Sequence, residues 1–270
     1  MIRLISILAG LFFTVALGGA LIQGGIAVMH DGIPTSAEKQ FHKHPKELEL
    51  ASDGMFGKFD RAQLQRGFQV YKEVCANCHA LKYVAFRDLT ALGYNEDEVK
   101  AVAKGYKVPA YNPATGEVKS HDGLPADHFP PVVYAGQGSP PDLSLISKAR
   151  HGGAAYVYSL LTGYENAPAN LPKENQPAPG LFYNPYFANL NMAMPKPLTS
   201  DGQVSYKGEG APKATVDQMA QDVSAFLVWT AEPKLEKRHQ TGWAVLGFLL
   251  FATTLAYMAY RNVWADKKGH

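Results

Sequence analysis

The chain has 270 residues, 46% of them hydrophobic, and a formal net charge of +2. That length holds one ordinary globular domain with appendages, or two small domains. Residues 31 to 232 carry 15 Lys and 4 Arg against 11 Asp and 11 Glu, a net −3, so the positive balance belongs to the ends and argues against nucleic-acid binding.

Residues 4 to 28 contain no charge, and as a helix they would reach about 37 Å, more than the about 30 Å of a bilayer core. Arg3 before this run and Gly18-Gly19-Ala20 within it fit a secretory signal, whereas its length fits an uncleaved signal anchor. Residues 1–30 are therefore expected to be a signal peptide or signal anchor, and either role exports the polypeptide C-terminal to it. Residues 31 to 55 mix charges with Gly and Pro without a sustained period and read as an irregular arm. Asp60 then precedes Leu64, Phe68, Tyr71 and Val74, whose spacing puts them on one face of a helix. That helix runs directly into Cys75-Ala76-Asn77-Cys78-His79.

Residues 108 to 141 and 167 to 185 are rich in Gly, Pro, Asn and Tyr and read as long loops, which in a compact domain usually serve function. Between them, residues 144 to 161 form a helical segment that carries Lys148 and Arg150 and is interrupted at Gly152-Gly153. Thr215 with Gln218 fits a capping box, Val216, Met219, Val223, Phe226 and Leu227 make a helical stripe, and Pro233 stops it. A second uncharged run, 242 to 260, gives about 28 Å of helix, close to the about 30 Å of a bilayer core. Trp243 stands at one end and Tyr257, Tyr260 and Trp264 at the other, where amphipathic rings favour headgroup depth. Arg261, Lys267 and Lys268 beyond the span are matched by Lys234, Lys237 and Arg238 before it, so charge barely fixes the orientation.

The expected architecture is a mainly α domain at 31–238, an anchor helix at 239–262 and a short tail at 263–270. Helices joined by long loops, with little strand signal, make sense around a large apolar cofactor.

CxxCH is the attachment sequence of c-type haem. Its two thiols can each form a thioether to one porphyrin edge, and the adjacent His79 can reach the iron. A zinc site needs four ligands and there is no second cysteine pair; a redox dithiol wants a βαβ setting, whereas here a helix precedes the pair. The sixth ligand decides the chemistry, because Met/His ligation raises the reduction potential and closes the iron to substrate. Met194 and Met192 in the segment NMAMPKPL are candidates, as are His121, His128 and His151. Pro195 and Pro197 stiffen the chain around Met194. Buried haem propionates need a basic partner, and Arg150 and Arg87 are both available.

Four segments carry a more specific signal: RGFQVYKEVCANCHALKYVAFRDL (66 to 89), PPDLSLISKARHGGAAYVYSLLTGY (140 to 164), NPYFANLNMAMPKPL (184 to 198) and DVSAFLVWTAEPKL (222 to 235). In this order they resemble the cytochrome c1 family, the haem subunit of the cytochrome bc1 complex. The resemblance implies a class I cytochrome c-like domain, with the helix at 216 to 231 crossing that at 61 to 74. It implies one covalent haem c on Cys75 and Cys78, with His79 and Met194 as iron ligands, Arg150 as propionate partner and Tyr156 in the pocket. It further implies electron transfer from the Rieske iron-sulfur protein to a soluble c-type cytochrome, beside a cytochrome b subunit. This makes the chain an electron-transfer subunit of quinol:cytochrome c reductase. The chain would sit in the lipid of the cell inner membrane with its haem domain on the periplasmic side, since haem c is attached after export. Two departures stand out. The extra disulfide-bearing insertion of some bacterial members is missing, and the long N-terminal apolar run is not expected in a mature member.

Overall fold

The computed structural model describes residues 2–31, 36–111, 113, 116–136, 138–208, 210–265 and 267; residues 32–35 of the arm and half of the expected tail, 266 and 268–270, lie outside them. Helix α1 (Ile2–Asp31) is apolar and exposed along its described side chains. The described part of the arm holds one short helix, α2 (Ala37–Phe41), capped by Ser36.

Helix α3 (Arg61–Val70) begins where Asp60 accepts hydrogen bonds from the N–H groups of Ala62 and Gln63 at 2.9 and 3.3 Å. A side-chain oxygen there satisfies donors that a helix start leaves without partners. Leu64, Phe68 and Tyr71 are buried as their spacing requires, but the regular period ends at Tyr71. Residues Tyr71–Cys75 form a π turn, in which the Ala76 N–H reaches back five residues to the Tyr71 carbonyl at 2.8 Å. Such single-turn widenings are frequent at functional sites.

A 3₁₀ helix (Phe86–Leu92) and α4 (Glu96–Lys104) come next. The stretch expected as loop then contains an antiparallel hairpin, β1 (Lys107–Tyr111) with β2 (Val118–Asp122). Its side chains are mostly exposed on both faces, so it lacks the alternation by which a strand is read. Helices α5 (Ile146–Ala149) and α6 (Gly153–Thr162) flank the expected break, where Gly152 and Gly153 both take positive φ. A two-residue pair, β3 (Phe182–Tyr183) with β4 (Asn191–Met192), precedes α7 (Val216–Ala231). Thr215 caps α7, yet Gln218 does not complete the box: its amide donates instead to Asp222 Oδ1 at 2.9 Å. Helix α8 (Leu235–Trp264) starts at once, its apolar length facing outward.

The core is built on α3 against α7, the most extensive helix pairing among the described elements. Gly67 makes it possible: a Cβ there would stand 2.7 Å from Phe226 Cβ and strike the Asp222 carbonyl. Around this contact Phe68, Tyr71, Phe129 and Phe226 interlock, with centroid separations from 5.6 to 6.3 Å. Arg66 forks onto Asp222, which is fully buried, at 2.8 and 3.1 Å. Bidentate geometry of this kind fixes orientation as well as distance.

Candidate functional site

Cys75 closes the π turn, and Cys78 and His79 come after it in a tight reversal in which the N–H groups of both donate to the Cys75 carbonyl, at 3.1 and 2.9 Å. Both thiols are unpaired and half-buried. Tyr71, buried at the back, donates its hydroxyl to the His79 carbonyl at 2.9 Å and so ties the motif to the α3–α7 core. Burial pushes the Cys75 thiol up to about 12, with Cys78 adding to the effect. A redox-active dithiol needs the opposite, a stabilised thiolate.

His79 is the better-defined group. Its Nδ1 lies 2.7 Å from the Pro141 carbonyl oxygen, and a carbonyl only accepts, so Nδ1 carries the proton. Nε2 then keeps its lone pair, the arrangement by which metal-binding histidines are usually oriented. Burial lowers the His79 pKa, and the Pro141 hydrogen bond and Asp142 only partly oppose it, which favours the neutral ring. Four hydrogen bonds hold Pro141 in place. The Leu143 N–H donates to the Ala80 carbonyl at 2.9 Å, and Asp142 Oδ2 and Oδ1 accept from the N–H groups of Lys82 and Ser144 at 2.8 and 3.0 Å. Ser144 Oγ accepts from the Tyr83 N–H at 3.1 Å. Sequence reasoning missed Pro141, because a backbone carbonyl leaves no mark in residue types.

Met194 packs half-buried against the same core as Cys75, Ala76 and Tyr156. Met192 is buried in the β3–β4 pair. The segment before them is held tightly: Leu190 is fully buried at φ +67°, a left-handed conformation that costs a non-glycine residue about 1–2 kcal/mol. Its N–H donates to the Phe187 carbonyl and its carbonyl accepts from the Asn184 N–H, at 2.9 and 2.8 Å. Beyond it, the Tyr164 hydroxyl donates to the Met194 carbonyl at 3.0 Å. Burial raises the Tyr164 pKa, so the phenol stays a donor.

Arg150 and Tyr156 stand together. Burial raises the Tyr156 pKa, and the Arg150 charge pulls it the other way. The Arg150 guanidinium is exposed and donates to the Ala149 carbonyl at 3.1 Å. Arg87 lies elsewhere, along a cleft of about 670 Å³ with Asp88, Lys100, Trp229 and Lys234. Of the histidines, His121 engages the Asp122 carbonyl through Nδ1 at 2.8 Å on the hairpin, and His128 and His151 are exposed. Among the described residues, no three His, Cys, Asp or Glu side chains gather as a metal cluster, so the cysteine pair lacks the partners of a zinc site. Two unpaired thiols, a neutral histidine with Nε2 available and a thioether on the shared core fit a c-type haem.

A CxxCH motif at the end of a core helix, in a mainly helical domain that leads into a long apolar helix, defines a membrane-anchored cytochrome. Residues 50–267 match the model of the Cytochrome C1 family. Cytochrome c1 of Rhodospirillum rubrum is 40% identical, across 94% of this chain and 96% of the relative. Cytochrome c1 1, heme protein, mitochondrial, of Arabidopsis thaliana is 38% identical over 92% of this chain and 82% of its own. The cytochrome b-c1 complex catalytic subunit of Candida albicans is 40% identical over 83% and 79%. The chain belongs to the cytochrome c1 family, and with it to electron transport.

Proposed function

We propose that the chain is a one-electron carrier of a respiratory or photosynthetic chain, the haem subunit of a quinol:cytochrome c oxidoreductase complex. In this reading it accepts electrons from the Rieske iron-sulfur protein and passes them to a soluble c-type cytochrome, while a cytochrome b subunit lies alongside in the membrane. Residues 31–238 form the haem domain on the periplasmic side of the inner membrane, 239–262 the anchor, 263–270 the cytoplasmic tail, and 1–30 a signal peptide or signal anchor. The name of the Candida albicans relative, which places it in a cytochrome b-c1 complex, supports the partner assignment.

Haem c, when bound, supplies a one-electron couple at its iron. Cys75 and Cys78 would hold it covalently and His79 Nε2 would bind the metal. The Met194 thioether would supply the second iron ligand, Arg150 would pair with the propionates, and Tyr156 would line the pocket. None of these side chains needs to move a proton. Pro141 and Tyr71 fix the ring and backbone of His79, and Tyr164 and the buried Leu190 turn hold the Met194 segment, so little rearranges when charge changes. With two protein ligands the iron would be closed to substrate, which leaves electron transfer as its chemistry.

The observation that carries this reading is the Pro141 carbonyl on His79 Nδ1. Its test is a reduced-minus-oxidised spectrum with a redox titration of the wild type and Met194→Leu. A high positive potential that falls steeply in the variant supports it. An unchanged potential moves the ligand to Met192 or a histidine, and rapid cyanide binding by the wild type defeats the closed-site assignment.

A further inference from the structure

The loop between the arm and α3 has a tip whose chemistry the electron-transfer role does not use. The Lys58 N–H closes it on the Ala51 carbonyl at 2.8 Å, and Asp53 Oδ2 accepts from the Leu50 N–H at 2.8 Å. Gly54 takes φ +76°, and a side chain on Gly57 would collide with the Ser52 carbonyl, so both turns of the loop demand glycine. Between them project Met55 and Phe56, 63% and 76% exposed. Two large apolar side chains held at a loop tip in water forgo the gain that burial would bring.

The tip is not free-floating. At its base, Glu236 in the first turn of α8 accepts from the Phe59 N–H through Oε1 at 2.8 Å and from Arg61 through Oε2 at 3.1 Å. At its end, the Phe56 ring stacks on Trp243 with centroids 5.2 Å apart and planes 9° apart. Glu236 and Trp243 are separated by two turns of helix, about 10 Å along the axis. The loop therefore runs down the side of α8 from its charged start to the first residues of its uncharged run. Phe56 stands at the depth of Trp243, a residue type that favours headgroup level.

We infer that the Met55–Phe56 tip inserts into the headgroup region of the bilayer beside α8, as a second, shallow membrane contact of the haem domain. The inference rests on α8 being the membrane anchor. The occupant is a lipid surface because the tip is continuous with the outward apolar face of α8, and exposed Lys58 at the base of the loop and Lys237 on α8 suit phosphate headgroups.

The test uses the full, haem-loaded chain, purified with the subunits that accompany it and reconstituted in vesicles of phosphatidylcholine and phosphatidylglycerol. Nitroxide labels at Phe56→Cys, Leu250→Cys and Val133→Cys are compared for accessibility to oxygen and to a water-soluble nickel chelate. The expected oxygen-to-nickel ratio at 56 is several-fold above that at 133 and below that at 250. A ratio at 56 equal to that at 133 overturns the inference, and so does exclusion of both reagents at 56, which means a protein surface covers the tip. An aqueous reading at 250 defeats the anchor assignment itself, a separate failure. Met55→Cys, read in the same way, decides the matter if Phe56→Cys disturbs the stack on Trp243.

Discussion

The Tyr164 hydroxyl donates to the carbonyl of Met194, across 30 residues of sequence, at 3.0 Å. It is the contact by which the end of α6 steadies the segment that carries the thioether. Tyr164→Phe removes the donor and leaves a carbonyl short of a partner, a loss of about 1–3 kcal/mol. The expected result is a lower reduction potential and a weaker thioether-to-iron absorption in the oxidised protein, with the haem still covalently attached. Redox titration and denaturing electrophoresis with haem staining check both parts.

Asp222 lies fully buried under the fork of Arg66. Removing one member of such a pair strands the other charge, and Asp222→Ala is expected to cost about 3–5 kcal/mol. Denaturant titration of the full chain in detergent, monitored by the haem absorption, measures it. A loss under 1 kcal/mol would mean that solvent reaches Arg66 freely (order of magnitude as for exposed pairs, about 0–1 kcal/mol).

Gly67→Ala tests the closest approach of α3 and α7. The added Cβ meets Phe226 Cβ at 2.7 Å, so the helices must part or Phe226 must shift, for about 1–3 kcal/mol. Ala favours helix over Gly by about 1 kcal/mol, so a net stabilisation would show that the two helices separate easily. Thermal unfolding distinguishes the two.

Glu232 accepts from Lys148 at 3.0 Å and from Arg238 at 2.7 Å, and so joins α5 to the start of α8. Burial pushes its pKa up, but the hydrogen bonds and charges of Lys148 and Arg238 prevail and leave it below the usual glutamate value. A carboxylate with a depressed folded pKa contributes stability that is full above its unfolded pKa of about 4.3 and is lost as pH falls through the folded value. Glu232→Gln should flatten the stability profile on the acid side of pH 5 and leave its shape at neutral pH unchanged. Unfolding midpoints measured across that range check this.

Local signals in the sequence were enough for α3, α7 and α8. Asp60 and Thr215 announce their helices by capping, and the apolar stripes behind them find partners whatever the rest of the fold does. The attachment motif is legible for the same reason, since its residues are neighbours in the chain. What escaped depends on distance or on backbone. The Pro141 carbonyl meets His79 across 62 residues. The left-handed Leu190 carries a side chain that gives no hint of positive φ, and the exposed β1–β2 hairpin has no buried face to impose a period. Gln218 is instructive: the spacing suits a capping box, but a buried Asp222 one turn on, already held by Arg66, takes the amide instead.

The π turn at Tyr71–Cys75 has a consequence for how the chain tolerates changes in length. Deleting a residue from a helix ordinarily turns everything after it by about 100°. Here, with exposed Lys72 or Glu73 removed, Ala76 would stand four residues from Tyr71 in place of five. That is the ordinary α spacing, and the same N–H would meet the same carbonyl. Cys75, Cys78 and His79 would keep their bearing. The widened turn thus holds one spare residue, and its solvent side is the place in this helix where the gene can lose a codon and the haem pocket need not notice.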